Sequence, residues 1–301
     1  MLKEITTEIQ KFLQFLKKPK DRFTEPVTTT DRYRIFTVLF FAVMLLNLLV
    51  IIPLLGWVDE HVMEIEKSNM LSGFTIWFLL FIAAVFAPVW EEFVFRFPLK
   101  SERNYLVRWA DKIVGKPVFS NFWNRHFAVI FYLIALLFGF VHSFNFTNEW
   151  NALFLVLLPL LILSQSITGL FLGYIRLRLG FLWAVLFHAC FNFVLITAAY
   201  LSYQHTEIIN DKNTNYELRI VGLFCRDSSS SYFTQNKQKD KIYLIEGTNM
   251  HLSTILNFET EQPYKIKDDP MVNFHFKSDR GMTEQELIKL LKEEFEITEQ
   301  Q

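Results

Sequence analysis

Long apolar runs alternate with short polar ones over the first two thirds of the chain. Five runs stand out, at 34–57, 74–97, 127–146, 151–175 and 181–203. A helix needs about 20 apolar residues to cross the hydrocarbon core of a bilayer, so the pattern predicts five transmembrane helices. Ahead of them lies a polar N-terminal segment, 1–33. There Leu2, Ile5, Ile9, Phe12, Leu13 and Leu16 recur at helical spacing between lysines. This predicts an amphipathic helix that lies on the membrane surface or docks on the bundle. From residue 204 the period changes. "YELRIVGLF", "KIYLIEG" and "VNFHFKSD" alternate as strands do. "MTEQELIKLLKEEFEI" reads as a closing helix, with Thr283 and Glu286 spaced for a capping box. The expected fold is an all-α polytopic membrane bundle over 34–203, followed by a small α+β extramembrane domain over 204–301. Nothing in the pattern of that domain states its role beyond structure or substrate docking.

Composition agrees with this reading. Of 301 residues, 51% are hydrophobic and 33 are phenylalanine. The net charge of −1 gives no case for nucleic-acid binding. Cys190 and Cys225 fall in different regions, which argues against a disulfide framework. The first 33 residues are too polar for a cleavable signal peptide. No internal repeat is visible. Basic residues set the orientation, because cytoplasmic loops carry the excess of Lys and Arg. Residues 1–34 hold eight Lys/Arg against five acids, and 97–126 hold six against two. The loop 58–73 holds Lys67 against Asp59, Glu60, Glu64 and Glu66. The N-terminus is therefore expected inside and the C-terminus outside, with Arg176 and Arg178 anchoring at the cytoplasmic interface.

The second apolar run ends in "PVWEEFVFRF", which contains Glu91, Glu92 and Arg96. A charge near the bilayer centre costs about 2.5–3.5 kcal/mol on insertion scales, so these groups need partners. Glu92 and Arg96 are four apart and share a helical face, which suits an ion pair. Glu91 is turned about 100° from Glu92 and points elsewhere. The third run carries Phe138 and His142 one turn apart. The fifth carries His188 and Asn192 with the same spacing. A carboxylate, two imidazoles and an amide thus come from three apolar helices, and together they suit water activation. Glu91 would take a proton from water and return it to a leaving amine. The histidines would hold the water, polarise a carbonyl or bind a metal, and Asn192 would donate to an oxyanion. Each group also has a plainer reading. An isolated membrane histidine is often just packed, and Glu92–Arg96 is more often structural than catalytic. Tyr174, Gln165 and Ser166 read as packing residues or interhelical donors.

EExxxR at 91–96, FxxxH at 138–142 and HxxxN at 188–192 occur in that order, each in an apolar helix. With the approach "GLFLGYIRLRLGFLWAVLFHACFN", the set resembles the CPBP family of intramembrane proteases, also called Abi, which includes the CAAX prenyl endopeptidases. The resemblance covers about residues 74–200. It implies a peptidase that hydrolyses membrane-associated protein or peptide substrates. Glu91 would be the general base, His142, His188 and Asn192 its catalytic partners, and Glu92, Arg96 and Phe138 support. It implies no cofactor, although His142, His188 and Glu91 could serve as zinc ligands. It places the chain in a prokaryotic plasma membrane, with lipid and substrate as its partners. A catalytically inactive or proton-conducting protein, acting as scaffold or immunity factor, is the alternative. Transporters usually show pseudo-repeats, which are absent here.

One tension remains at the sequence level. At 1.5 Å per residue, Glu91 lies about 26 Å beyond Phe74, His142 about 22 Å beyond Phe127 and His188 about 10 Å beyond Phe181. Straight, perpendicular helices would not bring the three together. The third helix must be offset, tilted or preceded by a re-entrant stretch within 98–126.

Overall fold

The computed structural model describes residues 2–66, 72–258, 260 and 263–299. The chain divides into two units: Met1–Ser68 with Phe81–Val194, and Asn69–Leu80 with Leu195–Gln301.

Helix α1 spans Leu2–Lys17. Five later helices are long and apolar enough to cross a membrane. They are α2 (Thr29–His61), α3 (Ile76–Leu99), α6 (Phe127–Asn145), α7 (Ala152–Arg178) and α8 (Phe181–Tyr203). Helix α3 ends in a 3-10 turn, Phe97–Leu99, and between α3 and α6 the basic segment forms a second, Ser101–Arg103, and two short helices, α4 (Tyr105–Val114) and α5 (Val118–Arg125). The five long helices coincide with the five apolar runs. Their outward faces stay apolar, with Phe41, Leu49, Val156 and Leu182 exposed, as a lipid-facing surface requires.

Of the two readings of α1, docking is the one the structure shows. Phe12 and Phe15 are buried. Phe12 lies 4.3 Å from the Phe171 ring, and Phe15 lies 5.2 Å from Phe131 and 5.0 Å from Tyr174. Phe15 is not part of the stripe read from sequence, whereas Leu13, which is, stays 51% exposed. The buried face also carries Glu8, ion-paired to Lys11 at 3.3 Å and Arg34 at 3.2 Å. Helix α2 begins at a capping box: Thr28 Oγ1 accepts from the Asp31 N–H at 3.2 Å, and the Thr28 N–H donates back to Asp31 Oδ2 at 3.2 Å.

Two π-helical segments interrupt the spans, Asn47–Ile51 in α2 and Phe81–Phe86 in α3. Each is followed by a proline, Pro53 or Pro88, at the start of the next α-helical stretch. Proline lacks an N–H, so a carbonyl upstream loses its donor and the helix relaxes its register there. Asn47, at the start of the π segment in α2, is fully engaged. Its Nδ2 donates to Val43 O at 2.9 Å, and its Oδ1 accepts from Ser164 Oγ of α7 at 2.5 Å.

Helices α6 and α7 pack backbone to backbone through glycine. A Cβ on Gly139 would stand 2.0 Å from Ser166 Oγ, and one on Gly173 would stand 2.6 Å from the Phe131 ring. Small residues let membrane helices approach this closely, where apolar burial offers no drive between helices already in lipid.

The second unit is built on an antiparallel sheet of order β1-β2-β6-β4-β3. Its strands are β1 (Thr206–Lys212), β2 (Tyr216–Leu223), β3 (Tyr232–Gln238), β4 (Lys241–His251) and β6 (Met271–Thr283). A short helix α9 (Leu252–Leu256) follows β4, and β5 (Tyr264–Ile266) pairs with β7 (Ile297–Glu299). The central pairs set Ile220 against Phe274 and Ile245 against Phe276. Their inward side chains pack with Leu287 and Leu291 of α10 (Glu284–Leu291). The three alternating stretches of the sequence are the three central strands. The edge strands β1 and β3, "TEIINDK" and "YFTQNKQ", were not legible because neither buries a full face. Helix α10 is shorter than the periodicity suggested. It starts at the expected box, with the Thr283 N–H donating to Glu286 Oε2 at 2.9 Å.

Candidate active site

Three helices deliver the polar residues to one place. Glu92 and Arg96 of α3 are fully buried, and Glu92 Oε1 lies 3.3 Å from Arg96 Nη1. The arginine is held from its other face as well. Its guanidinium carbon sits 3.6 Å from the centroid of the Phe138 ring, on α6. Gly169 of α7 leaves the space, since a Cβ there would be 3.2 Å from Arg96 Nη2 and 3.3 Å from Phe138.

Glu92 has a second partner, which helical spacing does not reveal. His188 of α8 lies with Nδ1 3.1 Å from Glu92 Oε1. A carboxylate only accepts, so this ring nitrogen carries the proton and Nε2 is left facing the other way. There it meets Glu91, with Oε2 at 3.7 Å. One imidazole therefore stands between the two adjacent glutamates. Glu92 is sealed, while the Glu91 side chain remains 24% exposed.

His142 sits where α6 tightens into a 3-10 turn, His142–Asn145. Its Nδ1 donates to Phe138 O at 2.7 Å, so the neutral ring presents Nε2 as an acceptor. The Phe138 ring meets both imidazoles edge-on, 4.7 Å from His142 and 5.7 Å from His188. Phe138 is about 16 Å along α6, while Glu92 and His188 are each about 10 Å from the near ends of α3 and α8. The contacts of Phe138 with Arg96 and His188 set this part of α6 beside both α3 and α8, which is the meeting that straight, level helices would not give.

Asn192 faces α3, one turn beyond His188. Its Nδ2 donates to the Ala83 carbonyl at 2.7 Å. Ala83 lies in the π segment, and in that register its partner would be the N–H of Pro88, which does not exist. Asn192 therefore replaces a backbone donor. Arg176 departs from its expected role as an interfacial anchor. It is 1% exposed, and it donates through Nε to Arg96 O at 3.0 Å and through Nη2 to Phe97 O at 3.2 Å. It satisfies the carbonyls at the end of the helix that carries the glutamates. The signal that could have found it was its place in a run followed by further apolar residues. Arg178 is also mostly covered, with 8% of its side chain exposed.

The donors have a chemistry that suits zinc: two imidazole Nε2 atoms and a carboxylate, each histidine braced through Nδ1. Their spacing does not assemble a site, because among the described residues no group of three or more His, Cys, Asp or Glu is placed to hold a metal ion. What the cluster does offer is unspent hydrogen-bonding capacity. Among the described residues, the buried Oε2 atoms of Glu91 and Glu92 and the hydroxyls of Ser143, Ser166 and Thr168 have no partner. Buried groups of this kind are normally satisfied by ordered water or ligand.

Residues 73–194 match the family described as type II CAAX prenyl endopeptidase Rce1-like. That segment is similar to Rce1-like proteins. The matched segment holds all three motifs, from Glu91 to Asn192, and agrees with the resemblance drawn from them. No curated protein and no solved structure matches the chain. The matched segment covers α3 to α8 up to residue 194, and the sheet of the second unit lies outside it.

Proposed function

We propose that the chain is an intramembrane endopeptidase in which Glu91 activates water for attack on a peptide carbonyl. The observation that carries this is the placement of His188, 3.1 Å from Glu92 and 3.7 Å from Glu91. Two carboxylates against one guanidinium leave a single negative charge in an apolar setting. One proton held between Glu91 and His188 Nε2 cancels it. With that proton on the imidazole, Glu91 is a free carboxylate and a base.

His142 Nε2 accepts one hydrogen of the water and orients it. Glu91 takes the other as the oxygen attacks the carbonyl carbon. The oxyanion then receives hydrogen bonds from the His188 imidazolium and from the Asn192 Nδ2 hydrogen that Ala83 does not use. Glu91 returns its proton to the leaving nitrogen as the C–N bond breaks. Glu92 and Arg96 keep His188 in position throughout. Every proton is accounted for by residues of the chain, and no step calls on a metal.

The orientation with the basic loops inside follows from charge alone. The substrate is proposed at the level of a membrane-associated protein or peptide. The test is cleavage of bilayer-anchored peptides, with and without a prenylated C-terminal cysteine, by purified full-length protein. Cleavage lost in Glu91→Gln supports the assignment. Cleavage that persists at the wild-type rate in folded Glu91→Gln overturns it.

A further inference from the structure

A cleft of about 510 Å³ opens between α1, the segment 18–25 and the last turn of α7. It shares no residue with the candidate active site. Its floor is aromatic. The Phe15, Phe23 and Tyr174 rings stand 5.7, 5.0 and 5.8 Å apart, pair by pair. Its rim is cationic: Lys11, Lys18, Lys20 and Arg178 face a single carboxylate, Glu25.

These cations are not equally committed. Lys11 is paired with the buried Glu8 at 3.3 Å. Arg178, only 8% exposed, lies 4.9 Å over Phe23 and donates to Glu25 O at 3.1 Å and Glu25 Oε2 at 3.4 Å. Lys18 and Lys20 have no carboxylate partner among the described residues, and Lys20 Nζ stands 5.5 Å from the Phe23 centroid. Tyr174 is 2% exposed and lines the cleft, and its hydroxyl has no hydrogen-bond partner among the described residues.

The mixture constrains the ligand. Two unspent ammonium groups and a nearly buried guanidinium select an anion. A cleft of this size with an aromatic floor selects one with an apolar flank. Its position fits as well, since α2 begins at Thr29 and α7 ends at Arg178, at the ends of two membrane-crossing helices. Basic pockets between such helix ends are where anionic headgroups bind. We propose that this cleft binds the phosphate of an anionic phospholipid headgroup. Lys18 and Lys20 meet the phosphate, the Tyr174 hydroxyl donates to it, and the rings of Phe15 and Phe23 take the glycerol end of the chains. The lipid then fastens α1 to the bundle, because both contribute walls.

The test uses full-length protein in phosphatidylcholine nanodiscs containing a minor fraction of phosphatidylglycerol, with retained lipid read by native mass spectrometry. Phosphatidylglycerol should be retained in preference. The exposed pair Lys18→Gln/Lys20→Gln should weaken it about fivefold per lysine, roughly 25-fold together. Lys112→Gln/Lys116→Gln, exposed lysines of the 97–126 loop, should leave it unchanged. A parallel arm adds inorganic phosphate or glycerol phosphate in water. Displacement of the lipid by either would assign the cleft to soluble phosphates and overturn the proposal. Equal retention of both lipids, or equal loss in the two variant pairs, would also overturn it.

Discussion

The Arg96 guanidinium carbon lies 3.6 Å from the centroid of the Phe138 ring, and the same ring stands edge-on to His142 and His188. This single phenylalanine ties three of the polar groups to one another without offering a polar atom of its own. Its π face takes the arginine's charge, and its contacts with the two imidazoles are T-shaped. A desolvated cation–π contact contributes about 2 kcal/mol, and the ring also fills volume that a smaller side chain would leave empty. Phe138→Leu is expected to destabilise the folded protein by about 2–3 kcal/mol. Denaturant titration of the detergent-solubilised protein measures this. A variant as stable as wild type would mean that the arginine does not depend on the ring.

The two adjacent glutamates should respond differently to the same change. Glu92 is sealed between Arg96 and His188, so Glu92→Gln leaves a buried guanidinium uncompensated and should cost about 3–5 kcal/mol of stability. Glu91 has no such obligation. Glu91→Gln should express and insert normally and lose turnover by about 10²–10⁴-fold, the range of a general base. Cleavage per correctly folded molecule separates the two. Near-normal turnover in Glu91→Gln beside none in folded Glu92→Gln would move the base to the other carboxylate.

Metal content gives an independent check. With no three-ligand group assembled among the described residues, zinc in purified active protein should be substoichiometric, and chelators should leave peptide cleavage unchanged. Elemental analysis and activity after dialysis against chelator read both quantities. Stoichiometric zinc that disappears in His142→Ala or His188→Ala would replace the glutamate mechanism with a metal one.

Topology is open to a labelling experiment. Ser230→Cys places a thiol on an exposed position of the second unit, in a background where Cys190 and Cys225 are replaced. A membrane-impermeant maleimide should label it in intact cells, and Lys116→Cys in the basic loop only after lysis. The reverse pattern would invert the orientation read from charge.

The sequence by itself determined the five spans, the three central strands, the Thr283–Glu286 capping box, and the fact that Glu91, Glu92, Arg96, His142 and His188 needed partners in an apolar setting. These follow from periods and from the cost of burying charge, and both are local or additive along the chain. It also fixed the Glu92–Arg96 pair, because four residues make one helical turn. Only the tertiary structure decided which neighbour each face meets. That His188 braces Glu92 while turning toward Glu91 depends on how α8 is set against α3. Pro88 announces that a carbonyl will lack its donor, but the donor, Asn192, is 109 residues away. Arg176 reads as an anchor in one dimension and proves to be a buried cap on α3, 80 residues distant. Helical period assigns a side chain to a direction. What stands in that direction is settled by how closely glycines 139, 169 and 173 let the helices approach.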